Sequence, residues 1–432
     1  MEYRIAASSG LKRRIAVFVP AHEVDDAIND AARPLDAALE VREAAEAVLR
    51  RATDALVEKG IAMVLDERAF LPVNRIRYEG PLAERGKPLS YALSLDILPE
   101  IPLPERLETL SVEVEEPVVS PGALRERLHR LLRAGGGRLE PVPERRLPQD
   151  GDVLELDIAG AYAGNPVPGM GANGFLLQLR PGQSGMDVAD LARTLHAGET
   201  ASGTILCPPD YPDVSLRGKP VEITVRLRTI SREVLPKPDE AFAVSLGFPN
   251  LRALHERLFM DCLERTMEEH RKAAEAKLVA TALEGLEFPL PESLVAVHLK
   301  TALLELRRSL SERGYAGEEL ERLLAGMRET GLEAARREAR IQTMLMVLGY
   351  REGLSVTEKD IENAVRALAG KTGDVEAFRG KLEATGAIWE LRDRLLAEKA
   401  LRKFYGKAKK TVVDGKGRPV EVPRVDTASP LS

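Results

Sequence analysis

The sequence predicts an α+β, multidomain protein. It has an α/β head at the N-terminus, a small antiparallel β domain in the middle, and an elongated all-α C-terminal domain with arms. Three observations carry that reading. Alternating and helical apolar patterns are mixed through residues 1–110. The period settles to two between Asp152 and Val234, and beyond Pro236 the stripes recur at helical spacing. A chain of 432 residues accommodates about two to four units of roughly 100–200 residues each.

In the head, Ile15, Val17 and Val19 alternate with Ala16 and Phe18, which marks a strand. His22 to Ala32 reads as a helix stopped near Pro34. A longer helix runs from Val41 to Lys59, with Ala45, Val48, Leu49, Leu56 and Val57 at near-helical spacing and Gly60 as its terminator. Leu89, Tyr91, Leu93, Leu95 and Ile97 give the clearest strand, closed by the proline-rich LPEIPLPE. Residues 111–150 read as a connector: Val112 and Val114 extended, a basic helix from Gly122 to Arg133, then a mobile Gly- and Pro-rich linker that starts at Gly135–Gly137.

Within 151–234, Leu154, Leu156 and Ile158 face one way, as do Val221, Ile223, Val225 and Leu227 on a second run. These are half-buried antiparallel strands. Residues 235–415 form the helical domain, with stripes at Leu251/Leu254/Leu258/Cys262, Leu303–Leu310, Ile341–Leu348 and Leu391–Phe404. Thr357 ahead of Glu358, Lys359 and Asp360 has the form of an N-terminal cap. Residues 416–432 are a tail.

Lys plus Arg total 62 against 68 Asp plus Glu, a net charge of −6. A weakly acidic surface does not neutralise phosphates in general, so DNA is not an expected partner. Aromatic residues make up 4% with Trp389 the single tryptophan, which argues against a base-stacking platform. Cys207 and Cys262 lie far apart and read as free thiols of a reducing compartment. The start has no secretory pattern and no run approaches the roughly 18 apolar residues of a membrane span, so a cytoplasmic protein without a membrane partner is expected.

Gly169 to Gly174 (GMGANG) has the spacing of a dinucleotide loop, but PVP precedes it and the strand-like FLLQL follows, so it reads as a flexible loop. The histidines (His22, His129, His196, His255, His270, His298) show no metal-ligand spacing, and a Gly-x-Ser-x-Gly elbow is missing. No cofactor or metal is expected. Met260, Met267, Met327, Met344 and Met346 are read first as core filler, with an adaptable apolar binding surface as the alternative.

The order of parts, together with specific stretches, resembles the trigger factor family of ribosome-associated chaperones. GLKRR at Gly10 to Arg14 is similar to the family's start. DYPDVSLRGKPVEITVRL at Asp210 to Leu227 resembles the end of its FKBP-like prolyl isomerase domain, and LPKPDEAFAVSLGF at Leu235 to Phe248 the entry into its helical domain. The resemblance implies an FKBP-like middle domain and a cradle that binds unfolded or nascent polypeptides without nucleotide.

It also implies pocket positions at Ile158, Val167, Phe175, Val188, Tyr211 and Ile223, with Tyr211 placed to donate to a substrate carbonyl. Two departures limit the transfer. The family's basic ribosome-docking loop is replaced by AARPLDAALEVRE, so docking on the ribosome in the family's manner is not expected. Only Phe175 and Tyr211 of the pocket positions are aromatic, and the segment that caps the floor reads Gly185-Met186-Asp187-Val188. Weak or lost isomerase activity is the expectation. An active prolyl isomerase is the alternative, and a periplasmic chaperone of SurA type, disfavoured by the start of the sequence, is a third.

Overall fold

The computed structural model describes the chain except for residues 34–40, 69, 104–106, 108, 144, 168–169, 181–187, 208–210, 212–215, 314, 371–372 and 421–432. The stop at Pro34, Gly169 of the glycine-rich motif and the segment Gly185–Asp187 therefore lie outside the described residues, as does most of the expected tail. The chain divides into two compact units. One gathers Met1–Val112, Ala274–Ala302 and Glu329–Thr411; the other gathers Glu113–Ala273, Leu303–Arg328 and the chain from Val412.

The first unit opens with β1 (Glu2–Ser9), β2 (Lys12–Val19), α1 (Ala21–Ala32), α2 (Val41–Arg68), β3 (Pro72–Glu79) and β4 (Leu89–Ile97). The strands form an antiparallel sheet in the order β1-β2-β4-β3. Alternation along β2 and β4 turns Ile15, Val17, Val19, Leu89, Tyr91 and Leu93 into one core with Val24 and Ile28 of α1 and Ala52, Leu56 and Val64 of α2. Helix α2 does not end at Gly60. A Cβ there would lie 2.1 Å from the Tyr91 hydroxyl, which donates to the Leu56 carbonyl at 3.1 Å. The glycine is a notch for a phenol in mid-helix, so the expected terminator is a packing position.

The second unit begins with β5 (Ser111–Glu115), α3 (Pro121–Ala134), β6 (Arg138–Pro141), β7 (Asp152–Tyr162), β8 (Asn165–Pro166), β9 (Ala172–Gln178), α4 (Val188–Arg193), β10 (Thr200–Leu206) and β11 (Pro220–Val234). β11 and β7 pair along most of their length. β10 and β6 join β11, while β8 and β9 join β7. Leu154, Leu156, Val221, Ile223, Val225 and Leu227 form the core of the sheet together with α4. β6 comes from the stretch read as a connector, and the run Gly135–Gly137 before it is a packed turn instead of a mobile linker. Gly135 and Gly137 donate to the carbonyls of Leu131 and Arg133, and a Cβ on Gly135 would meet the Phe242 ring at 2.7 Å. The second half of the expected flexible loop at GMGANG is strand: Ala172–Gly174 belong to β9, and Gly174 (φ 66°) donates to Asp157 at 3.0 Å.

The remaining elements are α5 (Glu240–Ser245), α6 (Leu251–Leu283), α7 (Glu292–Glu312), α8 (Gly317–Gly326), α9 (Arg328–Arg351), α10 (Glu358–Ala369), α11 (Val375–Thr385), α12 (Ala387–Lys407) and the short strand β12 (Lys409–Val413), which pairs with β5. Thr357 and Asp360 close a reciprocal capping box at the start of α10, as their spacing predicts. Within the first unit two buried carboxylates tie the head to the helices. Asp96 accepts from the backbone N–H of Ser293 at 2.9 Å, capping α7, and Asp393 of α12 accepts from that of Asn74 at 2.7 Å.

Candidate functional site: an isomerase-like face and exposed helix stripes

The register of β7 and β11 assembles the first candidate. Ile223 lies opposite Gly160 and Val225 opposite Ile158, so Ile158 and Ile223 are diagonal neighbours. The β8 turn returns Val167 to the same place, where its N–H bonds the Gly160 carbonyl at 2.8 Å. Val188 opens α4, and Tyr211 lies close to the described start of the β10–β11 connection. Ile158, Val167, Val188, Tyr211 and Ile223 thus share one apolar cluster. Phe175 does not join it: the residue is 45% exposed on β9, in register with Leu156, so its ring belongs to the surface.

Tyr162 and Met170 are among the cluster residues that sequence reasoning passed over. Tyr162 continues the period-two face that carries Ile158 and Gly160, so its place was legible in the alternation. Its ring carries the Lys219 ammonium 5.3 Å from the centroid. Met170 fills the notch at Gly160, where an added Cβ would lie 2.5 Å from the Met170 Cβ and 3.3 Å from Ile223. No periodic signal marks Met170. The face therefore offers an apolar floor with two phenols, Tyr162 and Tyr211. Arg217 donates to the Tyr211 backbone carbonyl at 2.7 Å, and the Tyr315 hydroxyl donates to the Tyr211 hydroxyl at 2.8 Å. Such a floor can seat an apolar ring, and a phenol at its edge can hydrogen-bond a peptide carbonyl. Rotation about a prolyl amide breaks no covalent bond and needs no proton transfer.

The second candidate is the exposed apolar surface of the helices. Leu254 and Leu258 of α6 point into a core with Phe242 and Leu132, whereas Phe259, Leu263 and Met267 recur every fourth residue along another flank. Phe259, Met260 and Met267 are exposed, Met267 to 52%. Met260 and Met267 are thus surface residues and depart from the core role expected of them, while Met344 and Met346 are fully buried in α9. Helical spacing does not separate these cases, because each flank of a helix repeats with the same period. Leu304 on α7 is exposed as well, and in the first unit so are Leu368 on α10 and Trp389 on α12.

A third surface is defined by charge. A cleft between α1 and α2 is bordered by Glu23, Asp26, Asp30, Asp54 and Glu58, with Arg51 and Lys59 on its α2 side. Helix α1 carries four carboxylates and no Lys or Arg. The interval expected to replace the family's docking loop joins α1 to α2, and its residues 34–40 lie outside the described part.

Two protein-family models match the chain. One, described as bacterial trigger factor protein (TF), spans residues 36–131, and one described as its C-terminus spans residues 250–405. Together they cover more than half of the sequence, and neither reaches residues 132–249, which hold the six-stranded sheet. The trigger factor of Nitratidesulfovibrio vulgaris (strain Hildenborough) is 30% identical over 96% of this chain and 99% of its own length. That of Oleidesulfovibrio alaskensis is 27% identical, covering 94% and 96%. A solved structure titled for substrate recognition by the trigger factor chaperone covers 94% of this chain at 18% identity and a TM-score of 0.37, too low for the superposition to decide anything.

Proposed function

Since this chain belongs to the bacterial trigger factor family, we propose that it is an ATP-independent chaperone that holds unfolded or nascent polypeptides on exposed apolar helix faces. Its middle sheet is then an FKBP-like domain whose prolyl isomerase activity is weak or lost. The observation that supports the chaperone reading best is the stripe Phe259–Leu263–Met267 with Met260 beside it. Each apolar side chain covered by a client removes surface from water at about 25 cal/mol per Å², so single contacts are weak and several together hold a chain. Flexible thioethers adapt to clients of different shape. Binding of this kind releases clients by its own weakness and needs no hydrolysis. Cys207 and Cys262 form no disulfide, which supports a reducing, cytoplasmic setting.

Light scattering from a denatured client tests the holdase. Stoichiometric protein is expected to suppress aggregation, and the double variant Phe259→Ser with Met267→Ser to lose most of that effect. Undiminished aggregation with the native protein would refute the reading. The second reading, an active prolyl isomerase, draws on the gathering of Ile158, Val167, Val188, Tyr211 and Ile223. Acceleration of a proline-limited refolding step at catalytic ratios, abolished by Tyr211→Ala, would establish it against the weakened-pocket argument.

A further inference from the structure

The second unit places a helical hairpin against the isomerase-like face. The end of α7 and helix α8 form a small core of Leu310, Tyr315, Leu320, Leu323 and Leu324, braced outside by the Arg307–Glu321 ion pair at 2.8 Å. Tyr315 sits at the tip. It is 3% exposed, its N–H bonds the Leu310 carbonyl at 3.1 Å, and Gly317 turns the chain into α8 with φ 59°. Its ring belongs to the hairpin core, yet its hydroxyl leaves that core and donates to the Tyr211 hydroxyl at 2.8 Å. A phenol with its ring in one cluster and its oxygen bonded to the other is a docking contact, because this hydrogen bond exists only while the two surfaces meet. The described residues of the tip, Tyr315, Ala316 and Gly317, include no proline.

We propose that the α7–α8 tip is the resident occupant of the Tyr211 face, and that a client carbonyl reaches the Tyr211 hydroxyl by displacing Tyr315. The seating of the tip stands by itself; the displacement by a client rests on the peptide-binding reading of this face. An occupant that must leave first lowers apparent client affinity by the fraction of molecules in which the face is open. The weak isomerase activity expected of this chain then has a cause outside the pocket lining, and it is reversible. The exchange also links two client-handling parts: a peptide bound at the sheet frees the hairpin, and a peptide bound on the hairpin frees the sheet.

Hydrogen exchange on the full chain, with no ligand present, tests the seating. Tyr315→Phe keeps the ring in its core and removes the donor. Exchange of the amides at 309–320 is expected to quicken about five-fold, the size of one net hydrogen bond. Tyr211→Phe removes the acceptor from the other side and is expected to give the same change, with no further gain in the double variant. Unchanged exchange in both single variants, with circular dichroism showing them folded, would overturn the proposal. Proline-limited refolding supplies the second arm, where Tyr315→Phe is expected to be about five-fold faster than the native chain. Exchange that responds while no variant accelerates refolding keeps the seated tip and removes the isomerase reading. A refolding rate that falls in Tyr315→Phe overturns the displacement.

Discussion

Asp393 is a buried acid, 8% exposed. Burial in α12 pushes its carboxyl up to about 7 from 3.8; the Asn74 N–H and the nearby Arg392 oppose the shift, and Glu390 adds to it. A group that binds its proton more tightly when folded favours the folded state at low pH. Stability from this site therefore falls as pH rises from 3.8 to about 7 and is flat above. Glu352 acts in the opposite direction. Lys407 and Lys403 pull its carboxyl down to about 2 from 4.5, so its contribution is present above 4.5 and lost as pH falls toward 2. Asp393→Asn keeps an acceptor for the Asn74 N–H and removes the titration. Denaturant midpoints from pH 4 to pH 8 are expected to decline less steeply in this variant than in the native chain; parallel curves would exclude the role. Gly60 gives a second residue-scale expectation. Gly60→Ala drives a Cβ into the Tyr91 hydroxyl and is expected to cost about 1–3 kcal/mol although alanine favours helix. Tyr91→Phe in the same chain should recover part of the loss in chemical unfolding, since the oxygen at 2.1 Å is gone.

At the scale of elements, local signals succeed where one residue type answers to one geometry. The Thr357–Asp360 box starts α10 where the spacing places it, and Thr357→Ala is expected to lower stability by about 1 kcal/mol, read as a fall in Tm. The strands β2, β4, β7 and β11 follow from alternation because one face of each is buried. The glycines mislead for a shared reason. Gly60, Gly135 and Gly174 look like terminators, linkers or loops in a sequence, yet two of them make room for the rings of Tyr91 and Phe242 and the third shapes a strand. Which ring approaches a glycine is a long-range fact. β12 escapes sequence reading too: it is five residues long and its partner β5 lies about three hundred positions away. The exposed flank of α6 is the element on which the holdase reading depends, and its helical period is identical to that of the buried flank.

At the scale of the whole molecule, the charge is close to balanced, with a net of −6, but it is not evenly spread. Helix α1 of the α1–α2 hairpin carries four carboxylates and no Lys or Arg, and such like charge would repel the phosphates of RNA. Co-sedimentation with ribosomes is expected to be weak at low salt and absent at high salt; salt-resistant binding would show that another surface has taken over docking. No described helix is long and apolar enough to cross a membrane. Periodicity, turn chemistry and the order of segments were enough to fix the fold class, the strands of both sheets' cores, the helical C-terminal part and, with the quoted stretches, the family resemblance, because these depend on neighbours in the chain. Tertiary structure alone decided that Phe175 stands outside the cluster around Tyr211, that Met170 enters it, that Met267 is exposed while Met344 is not, and that Tyr315 reaches Tyr211. Those outcomes depend on which surfaces meet, and residues far apart in sequence leave no local pattern of their meeting.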